Sequence, residues 1–142
     1  MHAEAGVTVA VAYHSGYGHT ERQAQAVAEG ARQAVGSTAV LYNVAELSDE
    51  LWEGLAEADA IIFGTPTYMG SQSSVFQAFA EASGSVWAAQ GWKDKVAANA
   101  LTSLSVLAAQ HSMHWVSQGP VPQVLETPRE PRTQQFLQRV LA

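Results

Sequence analysis

The chain reads as an α/β fold built on a parallel β-sheet, and three features of the sequence carry that expectation. Short apolar, β-branched runs recur without polar alternation, as in strands buried on both faces. Segments with helical spacing of apolar residues lie between them. The two kinds alternate along the chain, which is the order of βαβ units. All 142 residues fit one domain, 1–142, and 47% hydrophobic against 14% charged residues is a globular composition.

Val7–Tyr13 (VTVAVAY) is the first strand, continuously apolar and rich in valine. Thr20–Val35 then sets Ala24, Val27, Ala28, Ala31 and Val35 on one helical stripe, with Gly36 as a C-terminal stop. Ala39–Val44 is a second strand. Ser48 caps a short acidic helix whose Leu51, Trp52 and Leu55 face inward. Ala60–Phe63 is wholly apolar and therefore a central third strand. The loop GTPTYMGSQSS follows, then an amphipathic helix with Val75, Phe76 and Phe79, then Trp87, with a stop near Gly91.

Lys95–Met113 supports two readings. Val96, Ala100, Leu104, Leu107 and His111 fall near one helical stripe, so the segment can be a single helix. Alternatively Lys95–Ala98 is a fourth strand that enters a helix through almost no loop, shorter than the usual ~2–6 residues. His114–Gln118 suits a fifth strand. The proline-rich stretch Pro120–Pro131 leads to a last helix with Phe136, Leu137, Val140 and Leu141 inward.

Charge and composition exclude several functions. The net charge is -6, and nine of the thirteen acidic residues precede Ala60. Such a field repels phosphate backbones and argues against a nucleic-acid partner. The absence of cysteine removes disulfides, thiolate metal sites and cysteine nucleophiles. No apolar run approaches the ~18 residues of a membrane span, and MHAEAG lacks the basic region and apolar core of a signal peptide. The expectation is a soluble cytoplasmic protein without membrane attachment.

The loop Ser15-Gly16-Tyr17-Gly18-His19-Thr20 joins the first strand to the first helix, a natural place for an anion. First-turn N–H groups lack intrahelical partners and carry the positive end of the helix dipole. Gly16 and Gly18 let the backbone fold closely around a phosphate, and Ser15 and Thr20 add hydroxyls. No lysine occurs before Lys93, so nucleotide hydrolysis of the Gly-Lys-Ser/Thr type is excluded. Glu21 stands where the dinucleotide fingerprint needs its third glycine. What remains is a cradle of neutral donors for one terminal phosphate. Gly64-Thr65-Pro66-Thr67-Tyr68-Met69-Gly70 follows the third strand at the same carboxyl edge and offers backbone groups and an aromatic ring to a flat ligand. Either loop alone is compatible with a structural turn; the pair at one edge favours a binding site. His14 with His19, and His111 with His114, lack a carboxylate or thiol at ligand spacing, so no metal site is expected.

SGYGHTERQAQAVAEGA, IIFGTPTYMG, GSVWAAQGWKDKVAA and AAQHSMHWV, in this order, resemble the WrbA-type flavodoxin-like NAD(P)H:quinone oxidoreductases, from Val7 to about Gly119. The resemblance implies a flavodoxin-like doubly wound five-stranded parallel sheet of order 2-1-3-4-5 with helices on both faces. It implies FMN as bound cofactor, NADH or NADPH as co-substrate, a quinone or other small electron acceptor, and a homodimer or homotetramer. Carried over by position, Ser15, Gly16, Tyr17, Gly18, His19 and Thr20 hold the FMN phosphate, and Pro66, Thr67, Tyr68 and Met69 run along the isoalloxazine. Tyr17 and Trp87 match aromatic positions near nicotinamide and acceptor, Trp87 in reach of a neighbour's pocket in an oligomer. His111 matches a histidine beside the flavin, the one catalytic candidate; a packed core tryptophan and a packed or capping histidine are the structural alternatives for these two. The sequence departs from the family in two places. A Gly/Ser-rich loop after the fourth strand, which wraps the pyrimidine end of the flavin, is missing at Ala98-Asn99-Ala100-Leu101, and another segment is missing after Gly119. Two other functions therefore stand beside the oxidoreductase: an electron-carrier flavodoxin, and a non-enzymatic oligomerising or regulatory module that has lost its flavin site.

Overall fold

The computed structural model describes residues 6–99 and 102–116. In chain order the elements are β1 (Val7–Tyr13), α1 (His19–Arg32), β2 (Ser37–Asn43), α2 (Asp49–Glu57) and β3 (Ala60–Gly64). A small hairpin follows, β4 (Thr67–Tyr68) and β5 (Ser71–Gln72), then α3 (Ser74–Ala82), α4 (Gly84–Ala88), β6 (Val96–Ala98), α5 (Thr102–Gln110) and β7 (His114–Val116). The proline-rich stretch and the expected last helix lie outside the described residues.

Five strands form one parallel sheet in the order β2-β1-β3-β6-β7, the expected order with β6 and β7 as fourth and fifth strands. Val9 stands beside Ala39 on one side and Ala60 on the other, so β1 is paired along both edges. That is why its sequence does not alternate between apolar and polar. Successive β1 residues serve opposite faces. Val9, Val11 and Tyr13 pack with Ala24 and Ala28 of α1, whereas Ala10 and Ala12 join the core under α2, α3 and α5. The larger core is aromatic. Phe79 stacks on Trp52 at 5.5 Å between ring centroids and meets Phe76 edge-on at 5.4 Å, with Trp92 at 6.2 Å.

The ambiguous Lys95–Met113 segment resolves into β6 and α5, and the single helix is excluded. Val96 pairs with both Ala60 and His114, so interior sheet hydrogen bonds override the helical spacing. Helix α1 ends at Arg32, short of Val35, which is fully exposed; Gly36 turns the chain with a φ of 76°. Val27 is also largely exposed, so the buried stripe of α1 narrows to Ala24 and Ala28. Ser48 caps α2 as expected, accepting from the Leu51 N–H at 3.2 Å.

After β1 the chain lays β2 on one side and then crosses to β3 on the other. The strand order therefore reverses between β1 and β3, and the loops leaving their carboxyl ends face a common crevice. Those loops are 14–18 and 65–73. Both glycine-bearing motifs are thus brought to one edge.

Candidate functional site

Loop 14–18 is shaped by two glycines that act for different reasons. Gly18 is the N-cap of α1 with a φ of 88°, a left-handed conformation that only glycine adopts without steric cost. Gly16 is required by close approach: a Cβ there would run into the Tyr68 hydroxyl, with the ring carbon bearing it at 3.4 Å. Ser15 Oγ accepts from the Gly18 N–H at 3.0 Å and closes the loop on itself. No side chain among the described residues caps α1. By contrast, Ser48 and Ser73 satisfy the first turns of α2 and α3. The first-turn N–H groups of α1 thus lie at the positive end of the helix dipole without a side-chain cap among the described residues. Glu21 lies one turn in, where the Tyr13 hydroxyl donates to its carboxylate at 3.2 Å. Burial, and then the nearby Glu21 charge, raise the Tyr13 pKa, so the phenol stays protonated.

Loop 65–73 is stiffened by the β4–β5 hairpin, which the sequence reading did not anticipate. Met69 (φ 50°) and Gly70 (φ 82°) occupy its two central turn positions, the paired positive φ of a type I′ turn. Methionine is an unusual occupant of a left-handed position, and its side chain is fully exposed.

The two loops are joined by hydrogen bonds. The Ser73 N–H donates to Thr65 Oγ1 at 3.1 Å, and Ser73 Oγ accepts from the Phe76 N–H at 3.2 Å. The same Ser73 Oγ lies 2.7 Å from His14 Nδ1, and the His14 N–H donates to the Gly64 carbonyl at 3.0 Å. His14, Thr65 and Ser73 thereby hold the phosphate-type loop against the loop after β3. His14 immediately precedes the motif, but the role of Ser73 depends on a contact 59 residues away and left no mark in the sequence.

A cavity of about 620 Å³ opens between α1, the loop after β3 and the end of β6, with Thr20, Thr65, Thr67 and Asn99 among its polar lining and Val11 and Ile62 among its apolar lining; no residue of loop 14–18 lines it. Its size is ordinary for a small-molecule site. Asn99, which follows β6, is only 8% exposed, and neither atom of its carboxamide has a hydrogen-bond partner among the described residues. Around the loops, Tyr17 is 85% exposed and Tyr68 and Met69 are exposed, an aromatic and thioether surface beside the crevice.

Within their own chain, His111 and Trp87 do not lie at this edge. Helices of such a sheet run back from the carboxyl ends of the strands. His111 follows α5 and adjoins Ser112, whose carbonyl accepts from the Asp94 N–H just before β6 begins. His111 therefore lies at the amino edge of the sheet, 3% exposed, with Nε2 2.9 Å from Ser83 Oγ and its ring 4.3 Å from Trp92. Burial lowers its pKa from the usual 6.5 and keeps the imidazole neutral. This is a packed core histidine. Trp87 sits on α4, between Ser83 and the start of β6, and is 44% exposed. Ser15, Gly16, Tyr17, Gly18, His19 and Thr20 lie together in the first loop and the opening of α1; Pro66, Thr67, Tyr68 and Met69 lie in the second.

A doubly wound parallel sheet with an uncapped helix start at its switch point defines a class of α/β proteins that take up small phosphorylated ligands at the carboxyl edge. The flavodoxin domain family matches residues 10–116, and the chain belongs to it, in its WrbA-like group. A flavodoxin, WrbA-like protein from Agrobacterium tumefaciens has a crystal structure with a TM-score of 0.71 and 44% identity, covering 78% of this chain and 77% of that one. The flavodoxin FldP of Pseudomonas aeruginosa is 40% identical over 125 residues, 79% of this chain and 66% of that protein. An NAD(P)H dehydrogenase (quinone) of Geobacter sulfurreducens is 39% identical over 102 residues, 57% of this chain and 50% of that protein. The chain thus spans between half and two thirds of the length of these two relatives. In the second alignment, 102 positions exceed what 57% of 142 residues supplies, so that relative carries internal residues without a counterpart here. No helix among the described residues is long and apolar enough to cross a membrane.

Proposed function

We propose that this chain binds FMN between loops 14–18 and 65–73, and that the protein uses it to reduce a quinone with NADH or NADPH. The observation that carries the proposal is the uncapped start of α1, set in a lysine-free loop at the point where strand order reverses. The residues present suit the cofactor. The first-turn amides, Ser15 and Thr20 offer neutral donors to a terminal phosphate, while the backbone of Pro66–Met69 is available to the polar rim of a ring. At Gly16 the loop approaches Tyr68 so closely that a Cβ would have to displace the tyrosine hydroxyl. The unpartnered Asn99 amide lines the adjoining cavity.

When bound, FMN supplies a ring that accepts two electrons as hydride and releases them to a second substrate. The chain's own part is to bind, orient and screen. Gly18 fixes the turn that aims the α1 amides, the His14–Ser73–Thr65 hydrogen bonds hold the second loop in register, and Tyr17, Tyr68 and Met69 present an exposed surface for a flat partner. No nucleophile or acid–base pair is required. The protein is placed in the cytoplasm as a homodimer or homotetramer, in which Trp87, remote from its own chain's loops, is free to complete a neighbour's site. A net charge of -6 disfavours nucleic acid as a partner.

The test is direct. FMN added to the purified protein gives a yellow complex, raises its melting temperature, and is bleached anaerobically by NADH or NADPH with quinone turnover. Protein that takes up no FMN at micromolar concentration refutes the proposal and favours a non-enzymatic module. A second function, single-electron carriage, is favoured by the Pseudomonas relative being named a flavodoxin. FMN uptake without steady-state NAD(P)H–quinone turnover selects it.

A further inference from the structure

We propose, resting on the FMN reading above, that the Asn99 side chain is the chain's own hydrogen-bond partner for the imide edge of the flavin ring. Three observations meet at this residue. Asn99 directly follows β6, so it stands at the carboxyl edge of the sheet, on the strand adjoining β3. It lines the same cavity as Thr20 at the start of α1, Gly64 at the end of β3, and Thr65 and Thr67 of the loop after β3. Its carboxamide is more than nine-tenths buried, with both Nδ2 and Oδ1 lacking a partner among the described residues.

A buried carboxamide in that condition is costly. Each atom has given up water and received nothing, and buried polar groups are otherwise almost always paired. The chemistry of the orphaned group specifies what would satisfy it. A carboxamide presents a donor and an acceptor side by side, and so does an imide, in which a ring N–H is flanked by carbonyl oxygens. Nδ2–H donates to a ring carbonyl while Oδ1 accepts from the ring N–H. A phosphate, which offers acceptors only, would leave Oδ1 unsatisfied, and an apolar ligand would leave both. No glycine lies between Asn99 and α5, so a side chain here does work that backbone amides of a longer loop could do. Asn99 is thereby a determinant of ring binding, separate from the phosphate-holding loop.

The test compares the wild-type protein with Asn99→Leu and Asn99→Ala, titrating each with FMN and with lumiflavin, which keeps the ring but lacks the phosphate and ribityl chain. Melting temperatures are read without flavin. Leucine matches asparagine in size and removes both orphaned atoms, so Asn99→Leu is expected to melt higher than wild type in the cofactor-free state. It is expected to bind both flavins about tenfold more weakly, a loss of about 1.4 kcal/mol. The ratio of lumiflavin to FMN affinity stays at its wild-type value, because the phosphate contacts are untouched. Asn99→Ala gives the same loss of flavin affinity and guards against misfolding of the leucine variant. Unchanged binding of both flavins by the variants overturns the assignment and leaves an amide satisfied by water alone. Loss confined to FMN also overturns it, since the amide would then serve the phosphate or its chain. A lower cofactor-free melting temperature for Asn99→Leu shows that the amide was already paired within the protein. Wild-type protein that takes up neither flavin overturns this assignment together with the FMN reading; wild-type uptake with unaffected variants overturns this assignment alone.

Discussion

Gly16→Ala separates a close approach from a conformational requirement. Gly16 does not have a positive φ, so alanine fits its backbone; the difficulty is the Tyr68 hydroxyl, which occupies the space a methyl group needs. Restoring ordinary contact requires a displacement of roughly 1 Å. Tyr68 is exposed and can swing outward, at about 0.5–1.5 kcal/mol if it leaves its rotamer well. The folded state should therefore lose no more than about 1.5 kcal/mol. The site should lose more, because the second loop moves away from the first, and FMN affinity should fall about tenfold, or ~1.4 kcal/mol. Removing the hydroxyl reverses the logic. In Gly16→Ala/Tyr68→Phe the nearest ring carbon stands at 3.4 Å, an ordinary contact. The double variant should recover most of the lost affinity, with a coupling of about 1 kcal/mol in the double-mutant cycle. The assay is FMN fluorescence quenching on all four proteins, with melting curves as the stability control. Wild-type affinity in Gly16→Ala, or a double variant as weak as Gly16→Ala, would refute the contact between the loops as the reason for the glycine.

Gly18→Ala should cost about 1–2 kcal/mol by urea denaturation, because alanine is forced to a φ of 88°, and Gly18→Asn should cost less. Equal stability of the two variants would deny that the left-handed turn is responsible. Met69→Asn should raise the melting temperature of the cofactor-free chain by a few degrees, about 1 kcal/mol, since Asn-Gly suits the type I′ turn that Met69 and Gly70 form; a fall would mean that Met69 packs on something. The lowered pKa of His111 makes the unfolded chain bind more protons than the folded one at mildly acidic pH. Stability is thus fully present above the ordinary pKa of 6.5 and falls as pH drops from there toward the lowered folded value, by at most about 1.4 kcal/mol per pH unit. His111→Gln should flatten that part of the stability–pH curve, and an unchanged slope would assign it to other groups.

The sheet was legible because its central strands are paired on both edges and covered on both faces. β1 appears at its expected limits, Val7–Tyr13, since no competing pattern exists in VTVAVAY. At Lys95–Met113 the same residues satisfy two periods, and only pairing with Ala60 and His114, far away in the chain, decides between them. The hairpin at Thr67–Gln72 was missed because its turn has methionine where asparagine or aspartate is the usual signal. The phosphate-type loop could be read because its chemistry is local, a run of six residues. Asn99 could not, since an unpartnered buried amide is defined by what surrounds it. His111 and Trp87 were carried over by position in a motif, and a motif does not reveal at which edge of its own sheet a residue lies.

Capping explains why the proposed anion site belongs to α1 and not to α3. α3 also begins at the carboxyl end of the sheet, after β3, and its dipole points at the same crevice. Its first turn is already served by Ser73, whose Oγ accepts from the Phe76 N–H and is itself held by His14. α3 therefore spends its N-terminus on joining the two loops. α1 begins at Gly18, which has no side chain to offer, so its amides stay available. The serine and the glycine thus divide the two jobs of the site, one helix start fastening the cradle and the other filling it. A residue at position 18 with both a hydroxyl and a tolerance for positive φ would undo that division, because it could satisfy the α1 amides from within the protein and compete with the phosphate for them.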